Sequence, residues 1–447
     1  MSGNMLIAQR LRQRLSDLRQ QKFLGHVAAL MTGAVIAQAV PILLSPVLTR
    51  LYEPDDFAAF ALFMSVNTVV SVVGAGRYDQ AILLPRDDED ALNIVALSWV
   101  ILGALCAVMA VVIGLSYGGL PEAWIETLHG DWLYLLPVAV LVSASFQILA
   151  NWNNRCGRFP RLAVSRATQG SSGGVAQCGL GYASMHSTGL IWGWMGGQLL
   201  GLWMLLRTNL ASLKQGMEHV SWQRMSMNAR LYRRFPLLST WGCLFDNGGS
   251  MMVLLIVSHT FTSTITGLFS FTLRVLAIPL FLISNAIAQV LHQRVAQLNN
   301  DDASGILPYV LRAAAALTSI AIPFVLILAF FGVELFTFVF GAKWAEAGRY
   351  AGLLSLAVGI RFIVSPLTVV LMLNHNVKSC VQWQVLYFFS VSATLSLGSH
   401  LPITDFLKLY VAHELILFAL YFIIIVRGCQ RRPDAGTAPL NDETASP

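Results

Sequence analysis

The sequence predicts an all-α, polytopic membrane protein of about twelve helices in two sets of six. Three observations carry that prediction. Hydrophobic residues fill 56% of the 447 positions and charged residues only 12%, against about 25% charged in an ordinary soluble globule. Apolar runs of about 20 residues, the length that crosses a bilayer, recur from end to end. The longest polar interruption, 207–234, divides those runs evenly.

The basic residues Arg10, Arg12, Arg14, Arg19 and Lys22 precede the first apolar run. That run, Phe23 to Leu48, is too long for a secretory signal and reads as the first span. Leu11, Leu15 and Leu18 share one helical face, so segment 1–22 either lies along the membrane surface or is a solvated basic tail. Spans follow near 24–48, 57–76, 92–116, 132–152, 162–185, 187–206, 235–259, 264–291, 306–332, 346–373, 379–399 and 402–426.

The fifth of these is rich in Gly, Ser and Gln rather than apolar. Charge sidedness argues that it crosses. With a cytoplasmic N-terminus and twelve crossings, every Lys and Arg lies inside except Arg50, Arg274, Lys343, Arg349, Arg361 and Lys408. Without the fifth crossing, the densest basic loop, 207–234, would face outward, against the positive-inside rule. Small residues also suit close helix packing or a lumen lining.

The expected organisation is a basic cytoplasmic segment 1–22, a first bundle 23–210, a cytoplasmic linker 211–234, a second bundle 235–427 and a disordered cytoplasmic tail 428–447. Two faint echoes, at 54–66 against 262–275 and at 129–136 against 340–350, suggest two copies in the same orientation about an axis along the membrane normal. The net charge of +6 follows from sidedness and does not point to nucleic acid. The six cysteines form no C-x-x-C pair, and no histidines sit at metal-ligand spacing.

The stretch "RYDQAILLPRDDEDA", Arg77 to Ala91, concentrates charge between spans two and three, on the cytoplasmic side. Its run Asp87, Asp88, Glu89, Asp90 is of the kind that binds magnesium on prenyl diphosphates. That chemistry needs a second acidic motif, which the chain lacks, so a solvated loop is the expected reading.

Five stretches, taken in order, carry a family resemblance. They are "SPVLTRLYEPDDFAAFALF" (45–63), "GRYDQAILLPRDDEDALNIVALS" (76–98), "RRFPLLST" (233–240), "TGLFSFTLRVLAIPLFLISNAIAQVLHQRVAQ" (266–297) and "FGAKWAEAGRYAGLL" (340–354). Together they resemble the oligosaccharide flippases of the multidrug/oligosaccharidyl-lipid/polysaccharide exporter superfamily. The resemblance implies a MATE-like fold of two six-helix bundles and rocker-type alternating access. It implies a polyprenyl-diphosphate-linked oligosaccharide moved across the bacterial inner membrane for O-antigen, capsule or exopolysaccharide synthesis. Its implied partners are membrane lipids and the polymerase and chain-length regulator of the same pathway. No bound cofactor is implied, and the chain has no G-x4-G-K-[ST] loop for ATP. Both termini are expected to be cytoplasmic, and a monomer is the expected unit.

Ionisable residues within spans suggest function, because they are costly there. Asp246 lies about 16 Å into its span, counting from Phe235. Arg274 precedes Pro279, Arg361 precedes Pro366, and Glu414 follows His413 deep in the last span. Arg274 and Arg361 are candidate contacts for diphosphate or acidic sugars, since the guanidinium fork matches phosphate oxygens. Asp246 and Glu414 are candidates for proton or sodium coupling. Asp246 with Arg274 also reads as a structural ion pair. Arg50, Arg77 and Arg155 sit at span ends and complete the candidate cationic set, although Arg50 is close enough to Glu53, Asp55 and Asp56 to form a local surface pair, and topology alone asks for Arg77 and Arg155.

Two other functions compete. A glycan polymerase or ligase needs a large outer loop, whereas the longest here, 117–131 with Glu122, Glu126, His129 and Asp131, is short. A MATE-type drug or cation antiporter would share the fold but favour an acidic lining over Arg274 and Arg361.

Overall fold

The computed structural model describes residues 39–115, 131–301, 305–373 and 377–430. Segment 1–22, most of the first span and nearly all of loop 117–131 and tail 428–447 lie outside the described residues. The described chain is helical, with no strand among the described residues. This agrees with the all-α expectation. Nine described helices are long and apolar enough to cross a membrane.

The helices in order are α1 (Ser45–Leu51), α2 (Pro54–Val73), α3 (Tyr78–Ala81), α4 (Asp88–Leu115), α5 (Leu136–Arg155), α6 (Phe159–Tyr182), α7 (His186–Met217) and α8 (Trp222–Leu231). There follow α9 (Thr240–Thr260), α10 (Ser263–Asp301), α11 (Ile306–Phe340), α12 (Ala345–Val364), α13 (Val369–Leu373), α14 (Val377–Leu397) and α15 (Ile403–Gln430). Each of the twelve expected spans falls on one or more of these helices; the first is met only from Ala39. A π-turn, Phe235–Ser239, leads into α9 at Pro236, where the ring removes a backbone donor.

α6 is the weakly apolar fifth segment. Its 24 residues reach about 36 Å, enough to span the hydrocarbon. Its composition follows from its packing along α7. A Cβ on Gly197 would stand 2.5 Å from the Gln169 carbonyl oxygen and 2.7 Å from the Gly173 Cα. Polar groups are satisfied across the same seam: Ser165 Oγ donates to the Gly201 carbonyl at 2.7 Å and Gln177 Nε2 to the Leu190 carbonyl at 2.8 Å. Close backbones with cross-helix hydrogen bonds are how small polar residues hold helices together in lipid.

The chain divides into two compact units, Met1–Gly267 and Leu268–Pro447. The division falls past the polar interruption 211–234, because α9 packs along α2 within the first unit. In the second unit α12 packs on α11 and α15, and α14 packs on α15.

Candidate functional site

Three helices of the second unit carry a buried polar cluster. α12 supplies Arg361, α14 supplies Tyr387 and Ser390, and α15 supplies His413 and Glu414. On α15 the side chains Tyr410, Glu414, Phe418 and Tyr421 recur at three- or four-residue spacing, which places them on one face. On α14, Trp383, Tyr387 and Ser390 do the same.

The Glu414 side chain is 0% exposed. Its Oε2 accepts from Arg361 Nε, and its Oε1 accepts from the Tyr387 hydroxyl at 2.7 Å. Arg361 Nη2 also hydrogen-bonds the Tyr387 oxygen. The guanidinium carbon lies 5.3 Å from the ring centroids of both Tyr387 and Phe418, within range of a cation–π attraction. Trp383 stacks on Tyr421 at 4.3 Å, closing the aromatic side. His413 Nε2 meets Ser390 Oγ at 3.0 Å. Its Nδ1 is buried, has no hydrogen-bond partner among the described residues, and stands 3.8 Å from Glu414 Oε1.

Chemically this is a carboxylate removed from water and held as an anion by one guanidinium and one hydroxyl. A proton or cation on Glu414 would remove the charge attraction that pairs it with Arg361. The His413 imidazole stands beside it, with Nδ1 3.8 Å from Glu414 Oε1. The arrangement can therefore switch between a paired and an unpaired state.

The other nominated residues fall elsewhere. Arg274 is half-buried on α10, in the second unit, and Asp246 is exposed on α9, in the first. Arg50 is exposed at the end of α1. Two of the acidic residues close to it in sequence have partners of their own. Asp56 accepts from the Glu53 amide at 2.9 Å as part of a capping box at α2, and Asp55 accepts from Ser263 Oγ and Thr264 Oγ1 at 3.1 and 2.7 Å.

Arg77 and Arg155 lie in a second polar assembly, built on the stretch from Arg77 to Ala91. Arg77 turns the corner into α3 with φ of 60°, directly after Gly76 at 57°. Its Nε is buried without a hydrogen-bond partner among the described residues. The Arg155 side chain is 10% exposed and folds over the loop. It donates to the Pro85 carbonyl at 2.7 Å and the Ile82 carbonyl at 3.2 Å, and pairs with Asp88 at 3.0 Å. Asn151 Nδ2 donates to both the backbone and the carboxylate of Asp79, each at 3.0 Å. Burial pushes the Asp79 carboxyl above its ordinary range, while the Arg77 charge pulls it down.

The acidic run is solvated, as expected, with Asp87 and Asp88 exposed, and three of its four carboxylates also have side-chain partners. Asp88 takes Arg155, Glu89 takes Arg224, and Asp90 Oδ1 accepts from Asn228 at 3.4 Å. No group of three or more metal-ligating side chains occurs among the described residues.

A family model described as "Polysaccharide biosynthesis protein" matches residues 47–349. No curated protein matches the chain in sequence. Among solved structures the chain is similar to an inward-facing multidrug resistance MATE family transporter of the MOP superfamily, with TM-score 0.62 at 12% identity, covering 88% of this chain and 98% of that one. It is similar to the lipid II flippase MurJ in an inward closed conformation, with TM-score 0.63 at 12% identity, covering 91% and 86%. It is also similar to the Vibrio cholerae MATE transporter VcmN in its bent form, with TM-score 0.54 at 12% identity, covering 93% and 98%. At such identities the likeness establishes the fold, and the MATE-like expectation holds.

Proposed function

Because the chain belongs to this family of polysaccharide biosynthesis proteins, we propose that it is a flippase. Its cargo is a polyprenyl-diphosphate-linked oligosaccharide repeat unit, carried across the bacterial inner membrane by ion-coupled alternating access. The observation that carries this reading is the combination of a polysaccharide-synthesis family with a transporter fold along nearly the whole chain. The family description does not itself choose between an enzyme and a transporter, and the transporter fold favours transport.

The cluster on α12, α14 and α15 is the proposed coupling site, with Glu414 the carboxylate that gains and loses a proton or sodium ion. Ionisable groups at this depth are costly enough to suggest function. Arg361 is then the residue released when Glu414 is neutralised. Arg274, Arg50 and Arg77 remain the proposed cationic contacts for the anionic headgroup. Arg155 is better read as a positioning residue for loop Ile82–Asp88, since its donors are taken by the loop.

Reconstitution tests this. Purified protein in liposomes, loaded with lipid-linked repeat units on one side, is given a proton or sodium gradient. Exposure of the glycan to an impermeant glycosidase is then timed. The parent protein exposes it faster under one of the gradients. Glu414→Gln, which keeps the shape and the hydroxyl contact, flips without responding to the gradient. Equal gradient dependence in both would remove Glu414 from coupling. Uptake of cationic drugs with no glycan exposure would move the chain to the antiporter reading.

A further inference from the structure

Helix α8 lies between α7 and the π-turn before α9, and its roll about its own axis is fixed. Ser221 caps it by accepting from the Arg224 amide at 3.2 Å. Met225 and Asn228 are buried. The Tyr78 hydroxyl donates to the Ala229 carbonyl at 2.9 Å, Asn228 reaches Asp90, and Arg224 pairs with Glu89. That holds one half of the helix against α4 and the loop before it.

The opposite half follows from 100° per residue. It is centred on Gln223, Ser226 and Arg230, with Met227 beside them and Trp222 and Leu231 on its two opposite edges. Trp222 is 73% exposed, Met227 56% and Leu231 67%. Arg230, Arg233 and Arg234 are exposed and make no ion pair among the described residues. In water this is a poor surface for an indole and two long apolar side chains. An exposed indole at the start of α8 and exposed arginines at and beyond its end suit a helix resting at headgroup level, where both side-chain types are accommodated. Further large apolar side chains are exposed on the segments either side of α8: Met217 at the end of α7 is 68% exposed, and Leu237 and Trp241, before and within α9, are 61% and 57% exposed.

We propose that this outer face of α8, with Arg233 and Arg234, docks on anionic phospholipid in the leaflet that meets this end of α7 and α9. Three arginines that make no ion pair among the described residues, on a helix that also exposes an indole, select a negatively charged headgroup over a zwitterionic one. The inner face clips α8 to Glu89, Asp90 and Tyr78. Lipid held on the outer face therefore steadies the loop from Arg77 to Ala91.

Lipid-selective quenching tests this without any use of transport, so its outcome is separate from that of the flippase reading. Full-length protein is placed in liposomes of phosphatidylglycerol and phosphatidylcholine, with bromine on the acyl chains of one lipid or the other. The Trp222 signal is taken as the difference between parent and Trp222→Phe. Bromine on phosphatidylglycerol should quench that signal more than bromine on phosphatidylcholine at equal content. Replacing Arg230, Arg233 and Arg234 by Gln should weaken the preference at least tenfold, at about fivefold per arginine. A Trp222 signal insensitive to either lipid overturns the docking. Equal quenching by both lipids overturns the headgroup selection. Loss of the preference on adding millimolar inorganic diphosphate at constant ionic strength would also overturn it, making the arginines a diphosphate site instead.

Discussion

Removing Arg361 alone should do more harm than removing Arg361 and Glu414 together. The Glu414 side chain is 0% exposed and the Arg361 side chain 30%. Arg361→Met leaves a carboxylate in an aromatic enclosure with only the Tyr387 hydroxyl. Breaking a buried pair this way costs about 3–5 kcal/mol. The guanidinium also loses its place over Tyr387 and Phe418, at about 0.5–2 kcal/mol. Glu414→Leu alone leaves a cation with some access to solvent, so its cost lies near the low end of the first range. Arg361→Met with Glu414→Leu removes both charges. It forfeits the cation–π contact and leaves the Tyr387 hydroxyl without its acceptor, at about 1–3 kcal/mol. The double variant should therefore be more stable than Arg361→Met, with a coupling energy of about 5 kcal/mol from the midpoints of these ranges. The assay is unfolding of the three variants and the parent in one detergent, followed by tryptophan fluorescence under increasing denaturant. A double variant that loses the sum of the two single losses would show that the side chains do not act as a pair, and the reasoning would fail.

Three further outcomes follow from the first unit. Arg155→Ala should free the loop it covers, so trypsin should cut after Arg86 several-fold faster than in the parent. Unchanged cutting would mean that the Pro85 and Ile82 carbonyl bonds do not hold the loop. Gly197→Val should force α6 from α7 and cost about 1–3 kcal/mol by overpacking, visible as a lowered midpoint; Gly196→Val, at a position with open space around it, is the control that should not. Asp79→Asn should flatten the pH dependence of stability. Burial raises this carboxyl, so the folded chain holds its proton more tightly than the unfolded one. That contribution is present below the ordinary aspartate pKa and is lost as pH rises through the folded value. The parent should lose stability over that window relative to Asp79→Asn, and parallel curves would count against a buried Asp79.

The fold was legible because its signals are local. Apolar runs and the sidedness of Lys and Arg located the spans, and α6 emerged where charge alone demanded a crossing. Its low hydropathy has a physical cause in the tight seam with α7, which a scan for apolar windows cannot see. The candidate site was legible only in part. Arg361 and Glu414 stood out separately as costly intramembrane charges, but the chain separation between them hid their contact. Tyr387 gave no signal of its own, although the spacing of Tyr410, Glu414, Phe418 and Tyr421 marks a polar-aromatic face on α15. The acidic run is exposed as its composition implies, but its partners were hidden for the same reason. Arg155, Arg224 and Asn228 come from distant parts of the chain, and nothing local distinguishes a paired carboxylate from an unpaired one.

The most direct test of the flippase account is the leaflet occupied by lipid-linked glycan in a strain lacking this chain. Spheroplasts are treated with a membrane-impermeant glycosidase and the lipid fraction is analysed. The account predicts single repeat units that accumulate and stay protected from the enzyme. Single repeat units that accumulate and are cleaved from outside would contradict it, because flipping would have occurred and polymerisation failed.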